Sequence, residues 1–433
     1  METQEKKGGN VAAIATMFAL FFMIAFVTNF ATPMGVIAKN QFQASNFLSQ
    51  LGNAANFFAY LFMGIPGGLI LKRKGYKFTA LTAVAVGFVG LAVQLLSGYV
   101  SSFAVYVAGA FIAGFSMCML NLVTNPLLNT LGGGGNKGNQ LVQFGCSLNS
   151  VGATLSPIVL GWLIGEVTKD TSFGDARPAL MIAMAIFAVA FAIVAFSKIP
   201  EPHMETAAEK EARLSGKTSV LKDVIETLKF KHFTFGALAI FFYIVIEVGV
   251  PSMGMLYMTD CVKNAAGEIV SKGPGYVGGT IAGVVCGAYW FCMMIGRLLG
   301  GVVGGKFSSR TQATFLASLG IALLLATMFA PVKMITVAGY QFPLSMAFMV
   351  LVGLCTSVMW GGIFNMAAEG LGRYVPMGSG IFMACVFGGF FIPVQGFIAD
   401  KAGILNAYWL SIALLAYVLV YALVLSKPTK RAE

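Results

Sequence analysis

Apolar residues run along this chain in long, nearly regular stretches separated by short polar breaks. The stretches fall near residues 11–37, 46–71, 78–97, 101–128, 139–166 and 177–197, and then near 233–258, 276–304, 312–331, 342–366, 377–399 and 404–425. An α-helix needs roughly 20 mostly apolar residues to cross the hydrocarbon core of a bilayer. Barrel strands would alternate over segments of about ten residues instead. The pattern therefore predicts an all-α membrane protein with twelve transmembrane helices in two pseudo-symmetric six-helix bundles. The first stretch follows Lys6 and Lys7 with no small-residue cleavage site, so it reads as a retained helix and not as a signal peptide.

One polar insertion, residues 199–232, separates the two sets of six. It opens with Pro200 and Pro202 and then mixes acids and bases with few aromatics. It is expected to form one or two short amphipathic helices on a membrane face, acting first as a tether and secondarily as a partner site. The chain thus divides into an amino-terminal bundle (1–198), a linker (199–232) and a carboxy-terminal bundle (233–433).

Composition sharpens this picture. Of 433 residues, 58% are hydrophobic and 10% charged, and the mean hydropathy is +0.82. A soluble domain carries about 25% charged residues, so soluble enzymes and nucleic-acid-binding modules are excluded, and the bilayer becomes the expected surroundings. The net charge of +11 matters through its distribution. With the amino terminus in the cytoplasm, 20 of the 28 Lys and Arg fall in inner segments and seven in outer ones, with Arg297 inside a helix. The positive-inside rule then puts both termini in the cytoplasm, and the short loops fit a bacterial inner membrane. The seven cysteines are scattered and lack C-x-x-C spacing, which favours buried free thiols over disulfides or a metal site. No cofactor is expected, and the chain is expected to work as a monomer.

The polar residues inside the stretches recur in every third one. Asn29, Thr32, Pro33 and Gly35 interrupt the first; Asn121, Thr124, Asn125 and Pro126 the fourth; Glu247, Gly249, Pro251 and Gly254 the seventh; Thr356, Ser357, Trp360, Gly361 and Asn365 the tenth. Proline frees a backbone carbonyl one turn earlier, which lipid tolerates only where it faces protein or a wet cavity. Four helices broken in phase predict a mid-depth binding cavity, the architecture of secondary transporters; each residue alone could equally serve close helix packing. Glu247 is the single acid well inside a stretch, and Tyr243 lies one turn before it. An acid at that depth marks an ion or substrate path by default, against the alternative of a structural acid paired with Arg297. Neutral amides at Asn53, Asn56, Asn121, Asn125, Gln140, Gln143 and Asn149 donate and accept together, which suits the hydroxyls of a polyol. Trp360, Phe364, Tyr289 and Trp290 could cover the apolar face of a sugar ring, although an isolated aromatic is more often packing. A strongly anionic substrate would call for central Arg or Lys. Only Arg297 is available, and its place near a helix end suggests gating or structure.

Other motifs fail. Gly132–Asn139 is glycine-rich with one lysine but lacks the Gly-Lys-Ser/Thr order of a phosphate-binding loop, and reads as a flexible connection. Both histidines, His203 and His232, lie in the linker or at its edge, so no histidine-based triad can form in the membrane.

The segment Gly68-Leu-Ile-Leu-Lys-Arg-Lys-Gly-Tyr-Lys77 resembles the G-x-x-x-D-R-x-G-R-K signature of the major facilitator superfamily, with Arg73 at the arginine and Lys72 where the Asp usually stands. Ile65-Pro66-Gly67-Gly68, Asn125-Pro126, Asn149-Ser150-Val151-Gly152, Ile295-Gly296-Arg297 and the 378–400 region ending at Asp400 resemble, more narrowly, the fucose/glucose/galactose permease family. That resemblance implies the major facilitator fold and import of a neutral monosaccharide by symport with H+ or Na+ through alternating access. A facilitator without coupling and a drug exporter of the same superfamily are the alternatives; a non-transporting receptor is a rival from another class. It implies a substrate site at Asn29, Asn53, Asn56, Asn121, Asn125, Gln143, Asn149, Tyr243, Glu247 and Trp360, coupling at Glu247 and the Thr32 position, and gating or structural roles for Arg297, Arg73 and Asp400. The chain departs from the fucose branch in three places. Thr32 and Asn121 stand where that branch has acids, and Trp360 stands where it has a tyrosine, whereas the glucose/galactose branch shows a Glu like Glu247.

Overall fold

The computed structural model describes residues 2–28, 34, 37, 42, 51–164, 173–215, 219–263 and 269–428. The first set of spans is carried by α1 (Glu2–Thr28), α2 (Leu51–Tyr99), α3 (Phe103–Leu131), α4 (Gly135–Ile164) and α5 (Phe173–Phe196). The linker holds α6 (Ala207–Leu214) and α7 (Val220–Leu228). The second set comprises α8 (Lys231–Thr259), α9 (Gly279–Gly304), α10 (Ser309–Phe329), α11 (Leu344–Thr356), α12 (Met359–Ala368), α13 (Val375–Ala384), α14 (Ile392–Ala402) and α15 (Tyr408–Val420). Among the described residues, nine helical stretches are long and apolar enough to cross a membrane. The stretch within α2 holds two of the predicted spans, and α1 adds the shorter apolar segment Val11–Phe26. Many large apolar side chains point outward, Phe196, Val189 and Phe315 among them, as lipid-facing surfaces require.

The two predicted spans in α2 join at Gly75, whose φ of 85° ends one helix and starts the next. A Cβ there would collide with the carboxylate of Glu201, which accepts hydrogen bonds from the backbone amides of Tyr76 and Lys77. The linker is fastened to the same turn twice more: the Lys72 ammonium meets Asp223 at 2.7 Å, and the Tyr76 hydroxyl meets His203 Nδ1 at 2.7 Å. Lys72, in the place of the signature Asp, thus finds its acid in α7.

Three expectations need correction. The fourth and seventh spans are not broken: α3 runs on through Pro126 and α8 through Pro251. A proline removes a single bond of the ladder, and the carbonyl of Glu247, freed by Pro251, accepts from the Tyr289 hydroxyl at 3.2 Å. The tenth span does break, between α11 and α12. The glycine-rich connection is short, with only 132–134 in a turn and α4 starting at Gly135, so most of the predicted loop is helix. Finally, two hairpins interrupt the all-helical pattern. Strands β1 (Cys261–Lys263) and β2 (Ile269–Lys272) pair antiparallel, as do β3 (Met334–Val337) and β4 (Tyr340–Pro343). Ala338 and Gly339 close the second hairpin with φ of 52° and 84°, the double positive φ of a tight two-residue turn.

Both hairpins lie on the side opposite the linker, because α8 and α10 carry the chain across. On the linker side the bundles meet at close range. α2 packs on α13 and α4 on α9, with Gly64 and Gly68 against Gly380 and Pro376, the small-residue contact that lets helix backbones approach in lipid.

Candidate functional site

Polar side chains from both bundles converge at mid-depth. Arg297, 8% exposed, has its guanidinium held from three sides. Nη2 donates to Glu247 Oε1 at 2.9 Å, Nη1 to Ser150 Oγ at 2.7 Å and Nε to the Ser357 carbonyl at 3.4 Å. The Ser150 bond crosses from α9 to α4 and so joins the two bundles. Arg297 does not sit at a helix end: α9 continues to Gly304, and Gly301 and Gly304 let it lie close to α4. Its position puts a fixed positive charge beside the only deep acid among the described residues.

Glu247 keeps part of its surface accessible, its side chain being 13% exposed. The Tyr243 hydroxyl, one turn earlier on α8, interacts electrostatically with both members of the pair. It lies within reach of both the carboxylate and the guanidinium, without the alignment of a full hydrogen bond to either. A buried hydroxyl held this loosely gains from a better-aligned partner.

A second polar seam runs along α3. Asn121, Asn125 and Asn129 lie four residues apart and so share one helix face. Asn121 Nδ2 donates to the Tyr60 hydroxyl at 3.1 Å and Asn125 Nδ2 to the Asn121 carbonyl at 3.0 Å. Trp360 Nε1 donates to Asn125 Oδ1 at 3.0 Å, bridging the bundles a second time. Gln143 Nε2 reaches the Val358 carbonyl at 2.8 Å, at the start of α12, where the same oxygen accepts from the Gly362 amide. Asn129 Nδ2 meets Asn365 Oδ1 at 2.6 Å at the linker-side end of the seam. Tyr243 and Trp360 face each other with ring centroids 6.4 Å apart.

Of the residues singled out from the sequence, Asn121, Asn125, Gln143, Tyr243, Glu247, Trp360 and Arg297 are linked into this network. Asn149 adjoins it but donates to the Phe21 carbonyl at 3.1 Å, fixing α4 to α1. Asn56 is buried with its Oδ1 unpartnered. Asn29 and Thr32 lie outside the described residues, as does the side chain of Asn53. Trp290 is 40% exposed and stacks edge-on against Tyr289, so it faces lipid and not the network. Phe364 is buried against Phe382. Arg73 and Asp400 are exposed, Arg73 along a cleft of about 430 Å³ beneath the linker. Ser150, Thr356 and Asn129 complete the network and had no assigned role, and Tyr289, expected as an aromatic that covers a sugar ring, instead donates its hydroxyl to the Glu247 carbonyl. Ser150 stands seven residues after Gln143, two helical turns along one face, and Asn129 extends the asparagine spacing. No metal-binding cluster of His, Cys, Asp or Glu occurs among the described residues.

Residues 15–261 match the family described as Major Facilitator Superfamily. The chain belongs to that superfamily. It is an integral membrane transporter and not an enzyme. A glucose/galactose transporter of Brucella abortus is 27% identical over 98% of this chain and 97% of its own. The L-fucose-proton symporter of Escherichia coli is 24% identical over 92% of this chain and 90% of its own. Among solved structures, a crystal structure of the E. coli fucose:proton symporter superposes with a TM-score of 0.79 at 20% identity, covering 96% of this chain and 98% of that one. That superposition gives this superfamily member the same fold.

Proposed function

We propose that this transporter imports a neutral monosaccharide, a hexose such as glucose, galactose or a relative, by cation-coupled symport with alternating access. One observation carries the reading: at mid-depth the Trp360 indole and the Asn125 amide bridge the bundles beside a largely buried acid and the tyrosine hydroxyl next to it. Groups that both donate and accept suit sugar hydroxyls, and an indole face suits the apolar side of a hexose ring. Arg297, the one deep cation among the described residues, is committed to Glu247, which argues against a strongly anionic substrate. The relatives' names, glucose/galactose transporter and L-fucose-proton symporter, point to the same substrate class.

In this reading Asn121, Asn125, Gln143, Tyr243, Glu247 and Trp360 bind the sugar, with Asn29, Asn53, Asn56 and Asn149 around them. Glu247 exchanges Arg297 for a co-transported H+ or Na+, and Thr32 lies on the coupling path. The units are 1–198, the linker 199–232 and 233–433, working as a monomer in a bacterial inner membrane with the linker and both termini cytoplasmic. Uncoupled facilitation is the second reading, favoured by the Glu247–Arg297 pair itself, since a paired carboxylate can be purely structural. Uptake of labelled glucose, galactose and fucose into proteoliposomes under imposed pH or sodium gradients tests both. Accumulation above the external concentration supports symport, equilibration alone supports facilitation, and no sugar flux removes the reading.

A further inference from the structure

Helix α7 has two apolar faces. Val220, Val224 and Thr227 turn toward α13 and α8. Leu221, Ile225 and Leu228, spaced by four and three residues, form a second stripe that is 69%, 47% and 40% exposed. Such exposure is ordinary on helices that face lipid, but α7 lies in the linker, outside the membrane-spanning segments. Only Lys229 and Phe230 separate it from α8, the helix that enters the membrane at Lys231. Around the helix, Lys222 and Lys229 line one border of the exposed stripe, Lys229 paired with Glu226 at 2.6 Å, whereas Asp223 lies opposite it. Lys222, Lys229 and Lys231 are all exposed. An apolar stripe bordered by lysines, with an acid on the far side, is the pattern of a helix lying in the plane of a membrane interface.

We infer that α7 is an interfacial anchor: Leu221, Ile225 and Leu228 enter the acyl boundary of the leaflet on the linker side, and the neighbouring lysines engage anionic phospholipid headgroups there. The lysines choose the lipid, each contributing roughly fivefold near an anionic surface. The anchor also bears on the transport cycle. Asp223, on the opposite face of the same helix, holds Lys72 of the first bundle at 2.7 Å, while the buried face of α7 rests on α13 of the second. Lipid that seats α7 therefore braces the contact that keeps the bundles together on the linker side. The inference stands independently of the substrate assigned above.

The test uses the full-length transporter in vesicles of phosphatidylcholine alone or mixed 3:1 with phosphatidylglycerol. A benzophenone photo-crosslinker placed at position 221 or 225 is expected to give phospholipid adducts on the α7 peptide, and one at Ser219 none. With mixed vesicles, phosphatidylglycerol adducts should exceed their share of the lipid several-fold, and Lys222→Gln with Lys231→Gln should bring them back to that share. No lipid adduct at 221 and 225, or adducts only to protein, overturns the anchor. Lipid adducts without headgroup preference overturn the anionic partner. Because all these positions are exposed, the variants are expected to fold, which thermal unfolding in detergent checks.

Discussion

Arg297 Nη2 lies 2.9 Å from Glu247 Oε1, and the same guanidinium reaches across to Ser150 in the other bundle at 2.7 Å. The only deep acid of the described spans is thus tied, through one arginine, to the surface along which the bundles must separate if the carrier is to open on the linker side. A ligand or cation that competes for Glu247 loosens Arg297, and with it the bond to Ser150.

This arrangement predicts a non-additive pair. Removing one member of a buried ion pair leaves the other uncompensated, at about 3–5 kcal/mol. Glu247→Gln and Arg297→Gln should each lower the thermal stability of the purified protein strongly, and the double variant should recover much of the loss. All three should abolish gradient-driven accumulation. Additive losses in the double variant would show that the two side chains do not act on each other.

Asn129 and Asn365, 2.6 Å apart, latch the bundles at the linker-side end of the asparagine seam. Asn129→Ala removes one hydrogen bond of about 1 kcal/mol, which shifts the population toward the state open on that side by roughly fivefold. The rate at which a thiol reagent labels a cysteine introduced at the exposed Asn136, in the adjoining cleft, should rise accordingly. Unchanged labelling would mean that the latch is not part of the barrier.

How much of this was legible in the chain follows from what imposes each feature. Lipid demands long apolar helices, so the twelve spans could be counted in advance, including the two that α2 fuses at Gly75. The hairpins escaped because each strand has only three or four residues, and water, not lipid, surrounds them. Glu247 stood out because one acid in an apolar stretch is conspicuous. Its partner geometry did not: Ser150 is 147 positions from Arg297, and no local pattern records which distant helix faces which. The asparagine spacing on α3 was visible, yet its last member, Asn129, gains meaning only from Asn365. Proline misled in the opposite direction, since a broken helix was expected at Pro251 where a tyrosine from α9 takes up the freed carbonyl.

Where α2 crosses α13, a Cβ added at Gly64 would lie 2.5 Å from the Gly380 carbonyl oxygen and 2.6 Å from the Ala384 nitrogen. These are backbone atoms and cannot turn aside. Overpacking of this kind costs about 1–3 kcal/mol, enough to disfavour the closed linker side by roughly 5- to 150-fold. Gly64→Val should therefore insert and fold but transport slowly, with linker-side cysteines labelled faster than in the parent. Normal uptake by Gly64→Val would show that the bundles close there without backbone contact.

Linker attachment carries its own pH dependence. Burial holds the His203 imidazole down at about 4, below its ordinary 6.5, while Nδ1 shares a hydrogen with the Tyr76 hydroxyl. The folded protein therefore takes up this proton less readily than the unfolded chain. The stability due to the neutral, buried ring is fully present above pH 6.5 and is lost as pH falls from 6.5 toward about 4. His203→Gln can keep a hydrogen bond to Tyr76 but does not titrate, so it should flatten that part of the profile. Melting temperatures of parent and variant, followed from pH 7.5 to 4.5, should lie nearly parallel above pH 6.5 and converge or cross below it. Parallel curves over the whole range would remove His203 from the acid response and leave it to the carboxylates of the linker.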